Sequence, residues 1–304
     1  MIGKLFIFQL IFVLLLFSCK SSTRKSTAFV FPQADSVPVS EAEKLSNEAI
    51  DDISRNISSP VEIAEILRKM AVPFTTGYLA SSIDGSRLST SFDKALKLGV
   101  LGADLGYLNM YEKTGTSIDV LSSIKKLADG INVGQFFDFE AIKRLSLNRS
   151  NLDSLLYLSQ SSYNQIDNFL REKGRGQLSA LMITGVWIEG QYLATQVLKQ
   201  FPDTLLRNRV GEQKVILNDL IMLMAPYCDA GQEYKSLCQN MQNIKEKYRD
   251  IRITYTIGEP VMMEKNGALV VVQTDQSRVE MTDEQLAAII EITGNIRNKL
   301  ISGN

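Results

Sequence analysis

The chain has 304 residues, and its 33 Lys plus Arg nearly balance 34 Asp plus Glu. It therefore has no overall field to gather nucleic acid, and no basic cluster is interleaved with aromatic residues, which excludes the usual nucleic-acid-binding surfaces. Histidine is absent, which removes triads built on an imidazole base, histidine zinc sites and the usual physiological-pH switch, so any catalysis has to run on carboxylates, Lys, Tyr or Ser.

Met1-Ile2-Gly3-Lys4 carries one positive charge, and Leu5 to Phe17 is apolar apart from Gln9. That length suits the hydrophobic region of an export signal and is short for a membrane span. The run stops at Leu16-Phe17-Ser18-Cys19, which resembles the lipobox of bacterial lipoproteins, with Phe17 bulkier than that pattern prefers. The resemblance implies that residues 1–18 are a signal peptide and that Cys19 becomes the N-terminus, lipidated on sulfur by a diacylglycerol and on its amine by a palmitate-type chain. Two or more chains moor a protein to a bilayer far better than one, at about 0.8 kcal/mol per buried methylene. Lys20 is not the aspartate that retains some lipoproteins on the inner membrane, and no acidic run follows. The expected address is thus the periplasmic face of the outer membrane.

Residues 19–40 read as a tether rich in Ser and Thr, with a reach of about 25 Å. Ala28-Phe29-Val30-Phe31 interrupts it and is expected to dock, an added strand being one form. From residue 41 to 304 the pattern predicts one mainly α body, a multi-helix bundle with a small C-terminal antiparallel sheet at about 251–281 and a final helix. Capping boxes at Ser40-Glu-Ala-Glu43 and Ser59-Pro60-Val-Glu62 open helices near 41–56 and 60–71. Three- and four-residue apolar spacing predicts further helices at 91–111, 117–129, 138–147, 151–173, 177–200, 204–225 and 232–250, punctuated by Gly130, Gly174 and Pro226. No 34-residue tetratricopeptide period fits.

After Asp250 the period becomes two. Ile251, Ile253, Tyr255 and Ile257 alternate with polar residues, which predicts a strand with one buried face, and 261–273 reads as a hairpin turning at Asn266-Gly267. Thr282-Asp-Glu-Gln285 caps a helix running to about Leu300. Cys228 and Cys238 could pair in an oxidising compartment. If one helix carried both, however, their spacing would be about 15 Å, so no bridge is expected.

Two helices lack a polar face. From Leu98 to Met110 the only charge is Asp104, and from Ala180 to Leu198 it is Glu189. They are expected to be a central, buried pair. An offset of 85 residues superposes Ala95 on Ala180, Asp104 on Glu189 and Tyr107 on Tyr192, a hint of two related halves. Gly99, Gly102 and Gly106, with Gly185 and Gly190, cost about 1 kcal/mol each in a helix and are explained if the two helices cross closely. Asp104 and Glu189 each lie on an apolar patch. Their leading reading is that of satisfied core groups that fix helix register. The others are a ligand site with Tyr107 and Tyr192, or an acid and base pair as in glycoside hydrolysis.

Gly134 to Glu140 is the remaining notable stretch. Asp138 is placed to cap a helix while the phenylalanines pack, and an exposed aromatic patch is the alternative. "GVLGADLGYLNMY" and "GQFFDFEAIKRL" together resemble a group of uncharacterised, mainly helical Bacteroidota lipoproteins. This resemblance implies a helical body and supplies no activity, cofactor or catalytic residue. The functional expectation is a non-enzymatic periplasmic lipoprotein, a binding or assembly module without catalytic residues, metal or cofactor. Its partners are the bilayer through Cys19 and an envelope protein or small molecule. A carboxylate-based hydrolase of glycan-type substrates and a small-ligand carrier are the rivals.

Overall fold

Apolar spacing of three and four residues becomes eight helices in the computed structural model, which describes residues 66–67, 69–80, 89–146, 152–265, 268–272 and 276–302. All of them belong to the unit Ala34–Asn304. The export signal, Cys19, the tether, the first expected helix and most of the second lie outside the described residues. The helices are α1 (Ser91–Met110), α2 (Thr114–Gly130), α3 (Phe139–Ser146), α4 (Leu152–Glu172), α5 (Gly176–Gln200), α6 (Thr204–Met224), α7 (Gln232–Tyr248) and α8 (Asp283–Ser302). A short 3-10 turn, Thr76–Tyr78, precedes α1. The mainly α architecture with a C-terminal β element and a closing helix is the one the sequence predicts.

Local chemistry sets the helix starts. The Thr90 side chain accepts from Asp93 N at 3.0 Å, Asp138 from Ala141 N at 2.9 Å and Asp203 from Leu206 N at 2.8 Å. Each satisfies an amide that the first turn leaves without a partner. At α8 the full capping box forms: Gln285 N donates to Thr282 Oγ1 at 3.2 Å while Thr282 N donates to Gln285 Oε1 at 2.8 Å. Phe136 packs on Phe169 and Phe137 on Phe139, with ring centres 5.0 and 5.4 Å apart, so the aromatic stretch before α3 serves helix packing.

At the centre α1 crosses α5, and the crossing is reciprocal. A Cβ on Gly99 would overlap the Met182 carbonyl and lie 2.9 Å from Val186 N, and one on Gly185 would overlap the Leu96 carbonyl and lie 3.0 Å from Val100 N. Local two-fold symmetry thus relates Leu96 to Met182, Gly99 to Gly185 and Val100 to Val186, one residue out of step with the alignment that pairs Asp104 with Glu189. Gly102, Gly106 and Gly190 have open space where a Cβ would go, so close crossing explains only two of the five glycines. Gly99→Ala is therefore expected to lower stability by about 3 kcal/mol through overpacking. Gly102→Ala should gain up to about 1 kcal/mol in helix propensity. Urea unfolding of the two variants checks the pair.

Two expectations are corrected. Cys228 and Cys238 form a disulfide with Cα atoms 5.8 Å apart. Ala225–Tyr227 makes a 3-10 turn with Pro226 in it, and α7 starts only at Gln232. Cys228 therefore lies outside the helix that carries Cys238, and the chain doubles back between them. Among the described residues the β element also has four strands. β1 (Arg252–Thr256) pairs antiparallel with β4 (Gln276–Glu280), a strand not read from the sequence, and β2 (Val261–Lys265) pairs with β3 (Ala268–Val272). They are two separate two-stranded ladders. The β1–β4 ladder sits on α6, where Val279 packs against Gly211 and Ser277 hydrogen-bonds Glu212. Beyond Ile253 the expected buried face is absent, because Tyr255 and Ile257 are exposed.

Candidate functional site

Because α1 and α5 cross so closely, Asp104 and Glu189 come together one to two turns past the crossing. Asp104 and Glu189 both have 0% of their surface exposed. The ion opposite them comes from the last helix. Arg297 of α8 grips Glu189 through Nε at 2.8 Å and Nη2 at 2.6 Å, the bidentate fork that only a guanidinium offers. The same Nη2 donates to the Tyr78 carbonyl at 3.0 Å, and Ala80 N donates to Asp104 Oδ2 at 2.9 Å. Four separated parts of the chain thus meet on one charge cluster: the turn before α1, α1 itself, α5 and α8.

One proton completes it. Burial pushes the Asp104 carboxyl up to about 9, assisted by the charge of Glu189 and opposed by the Ala80 amide and Arg297. Burial raises Glu189 too, while the hydrogen bonds and charge of Arg297 and a hydrogen bond from Asp104 draw it down. The acid held twice by the guanidinium keeps the negative charge, and Asp104 keeps the proton. This also accounts for Asp104 Oδ1, which receives no hydrogen bond from a donor among the described residues. A protonated Asp104 has a hydroxyl to offer to Glu189, the acid beside it. The cluster is then one anion, one cation and one neutral acid.

The four residues singled out in the sequence are divided by the fold. Asp104 and Glu189 come together, and Tyr192 joins them by placing its ring 4.1 Å from the Arg297 guanidinium carbon. Tyr107 points elsewhere. Its hydroxyl accepts from Thr75 N at 3.3 Å, and its ring packs with Phe74 and Tyr111 at 5.6 and 4.9 Å between centres. Burial raises its phenol. Both tyrosines thus make contacts with protein groups, Tyr192 with the cluster and Tyr107 with the segment before α1. Arg297, Tyr78 and Ala80 were missed. The signal for Arg297 is its position in the series Ile289, Thr293, Arg297, the buried stripe of α8. An arginine in register with apolar residues calls for an acid to face it.

A second buried cation reinforces the closing helix, since Lys97 of α1 donates to the Ile301 carbonyl at the end of α8. Several other buried polar groups also find partners among the described residues. Asp167 accepts from Arg171 at 2.7 Å and from Ser179, whose hydroxyl lies 3.0 Å from that of Tyr163. Tyr248 donates to the Val210 carbonyl at 3.1 Å. Among the described residues no group of three or more His, Cys, Asp or Glu could hold a metal ion, and no helix is long and apolar enough to cross a membrane.

Paired glycosidase chemistry needs a solvent-reachable cleft, with the carboxyl groups about 5–5.5 Å apart for retention or 6.5–9.5 Å for inversion. Asp104 and Glu189 instead have no exposed surface, and Glu189 is taken up by the Arg297 guanidinium. Their chemistry is to fix three helices and a turn in one register. Comparison with protein-family models, curated proteins and solved structures gives no match to this chain.

Proposed function

We propose that this chain is an envelope lipoprotein, acylated at Cys19 and moored to the outer membrane on its periplasmic side, whose helical body is a non-enzymatic binding or assembly module of the Bacteroidota group it resembles. The observation that carries the reading is the run Leu14-Leu15-Leu16-Phe17-Ser18-Cys19, an apolar export segment ending on a cysteine. The Cys228–Cys238 bridge supports it, because disulfides persist in oxidising compartments and are rare where thiols are kept reduced. The closed acid cluster supports the non-enzymatic part, since the buried pair that invited a hydrolase reading is committed to holding helices together.

The test is made on the mature protein extracted from cells. The N-terminal peptide should begin at Cys19 and carry the mass of a diacylglycerol and a further acyl chain. Cys19→Ser should move the protein from the membrane pellet to the soluble fraction. An unacylated N-terminus, or unchanged fractionation of the variant, overturns the reading.

A further inference from the structure

The β2–β3 ladder is a two-stranded ribbon without cover. Met262 and Met263 are neighbours on β2, so they face opposite sides of the ribbon, yet they are 67% and 54% exposed. Leu269 on β3 is 70% exposed and Ile257 79%. Neither side of the β2–β3 arm is packed at these positions, and a two-stranded ribbon that packs on nothing is marginal in water. Each strand also has an outer edge that pairs with no other strand among the described residues. Such an edge is a template for another strand unless charges or proline guard it.

The two edges differ in charge. β2 carries Glu264 and Lys265, whereas β3 reads Ala268-Leu269-Val270-Val271-Val272 and has no charge and no proline. We propose that the arm pairs with the arm of a second copy, β3 against β3, as antiparallel edges about a two-fold axis at Val270. That operation sets Leu269 opposite Val271 of the other copy and Ala268 opposite Val272, so every pair is apolar and no like charges meet. The same operation on β2 would set Glu264 opposite Met262 and Lys265 opposite Val261. A bilayer is the weaker occupant, because β2 ends on the charged pair Glu264-Lys265. A five-residue strand pair falls well below the roughly 1,200 Å² of a standard interface, so copies exchange between monomer and dimer. Mooring in one membrane plane favours the dimer by raising the effective concentration. The inference names the partner of the assembly module proposed above and in that respect rests on it.

Leu269→Cys and Val271→Cys, each in the full chain, provide the test, with the membrane-extracted proteins oxidised separately and mixed. In the two-fold register the mixture should give about tenfold more cross-linked dimer than either variant alone, because only the mixed pair brings two thiols within disulfide reach. Val270→Asp added to both variants should abolish the product, with the unchanged protein as the control for the native cysteines. Absence of the mixed product at the highest attainable concentration, or equal cross-linking of each variant alone, overturns the pairing. A bilayer-docked arm would give the first of these results. The readout does not depend on acyl chains, so its failure is distinct from a failure of the Cys19 test.

Discussion

Arg297→Met is expected to lower the stability of the body by about 3–5 kcal/mol, the usual loss when one member of a buried ion pair is removed. The substitution keeps an unbranched apolar stem but withdraws both hydrogen bonds to Glu189 and the one to the Tyr78 carbonyl. Glu189 is then a carboxylate with no exposed surface and no cation, and it can avoid that cost only by taking up a proton. The loss should therefore be larger at pH 8 than at pH 5, because the unfolded chain gives up this proton far more readily than the folded one. Adding Glu189→Gln should recover much of the loss, since the second change removes the uncompensated charge. Lys125→Met supplies the contrast. Lys125 and Asp129 are 3.2 Å apart but more than half exposed, and losing an exposed pair of this kind costs at most about 1 kcal/mol. Urea midpoints of the four proteins at the two pH values decide the matter. A loss for Arg297→Met no larger than that for Lys125→Met would show that the cluster does not hold the fold.

Asp104→Asn is expected to have the opposite sign. The Asp104 carboxyl lies near 9 in the folded protein against 3.8 for the free group. Between those values the folded state keeps a proton that the unfolded state has lost. Stability from this group is thus fully present below about pH 4 and falls as pH rises, by up to about 1.4 kcal/mol per pH unit, until it levels off above 9. An asparagine amide can donate to Glu189 as the carboxyl hydroxyl does, its oxygen can accept from Ala80 N, and it does not titrate. The variant should match the parent near pH 4 and exceed it by several kcal/mol at pH 8. Thermal unfolding across that range reads the diverging curves. Parallel curves would place the shared proton elsewhere.

The sequence made the two acids visible because a lone charge in a long apolar helix is rare, and it made their meeting plausible because glycines break the same helices. The arginine was harder to see. On α8 its register with Ile289 and Thr293 was the one local signal, and a polar threonine in that stripe made it faint. The disulfide was misjudged for a related reason: helical spacing was extended across Asp229, where the chain leaves a 3-10 turn. β4 escaped because Gln276-Ser277-Arg278-Val279-Glu280 has one apolar residue, too few to show a period of two. It becomes a strand through its register with β1 and through Val279 on Gly211, both of them tertiary causes.

The position of Arg297 within the chain orders events in time. A nascent polypeptide that has emerged as far as α7 already contains Glu189 but not the guanidinium that pairs with it. Until α8 has been made, closing α1 on α5 would bury Glu189 without its counter-charge. Closure of α1 on α5 is thus coupled to the arrival of α8, which brings the cation from a distant part of the chain.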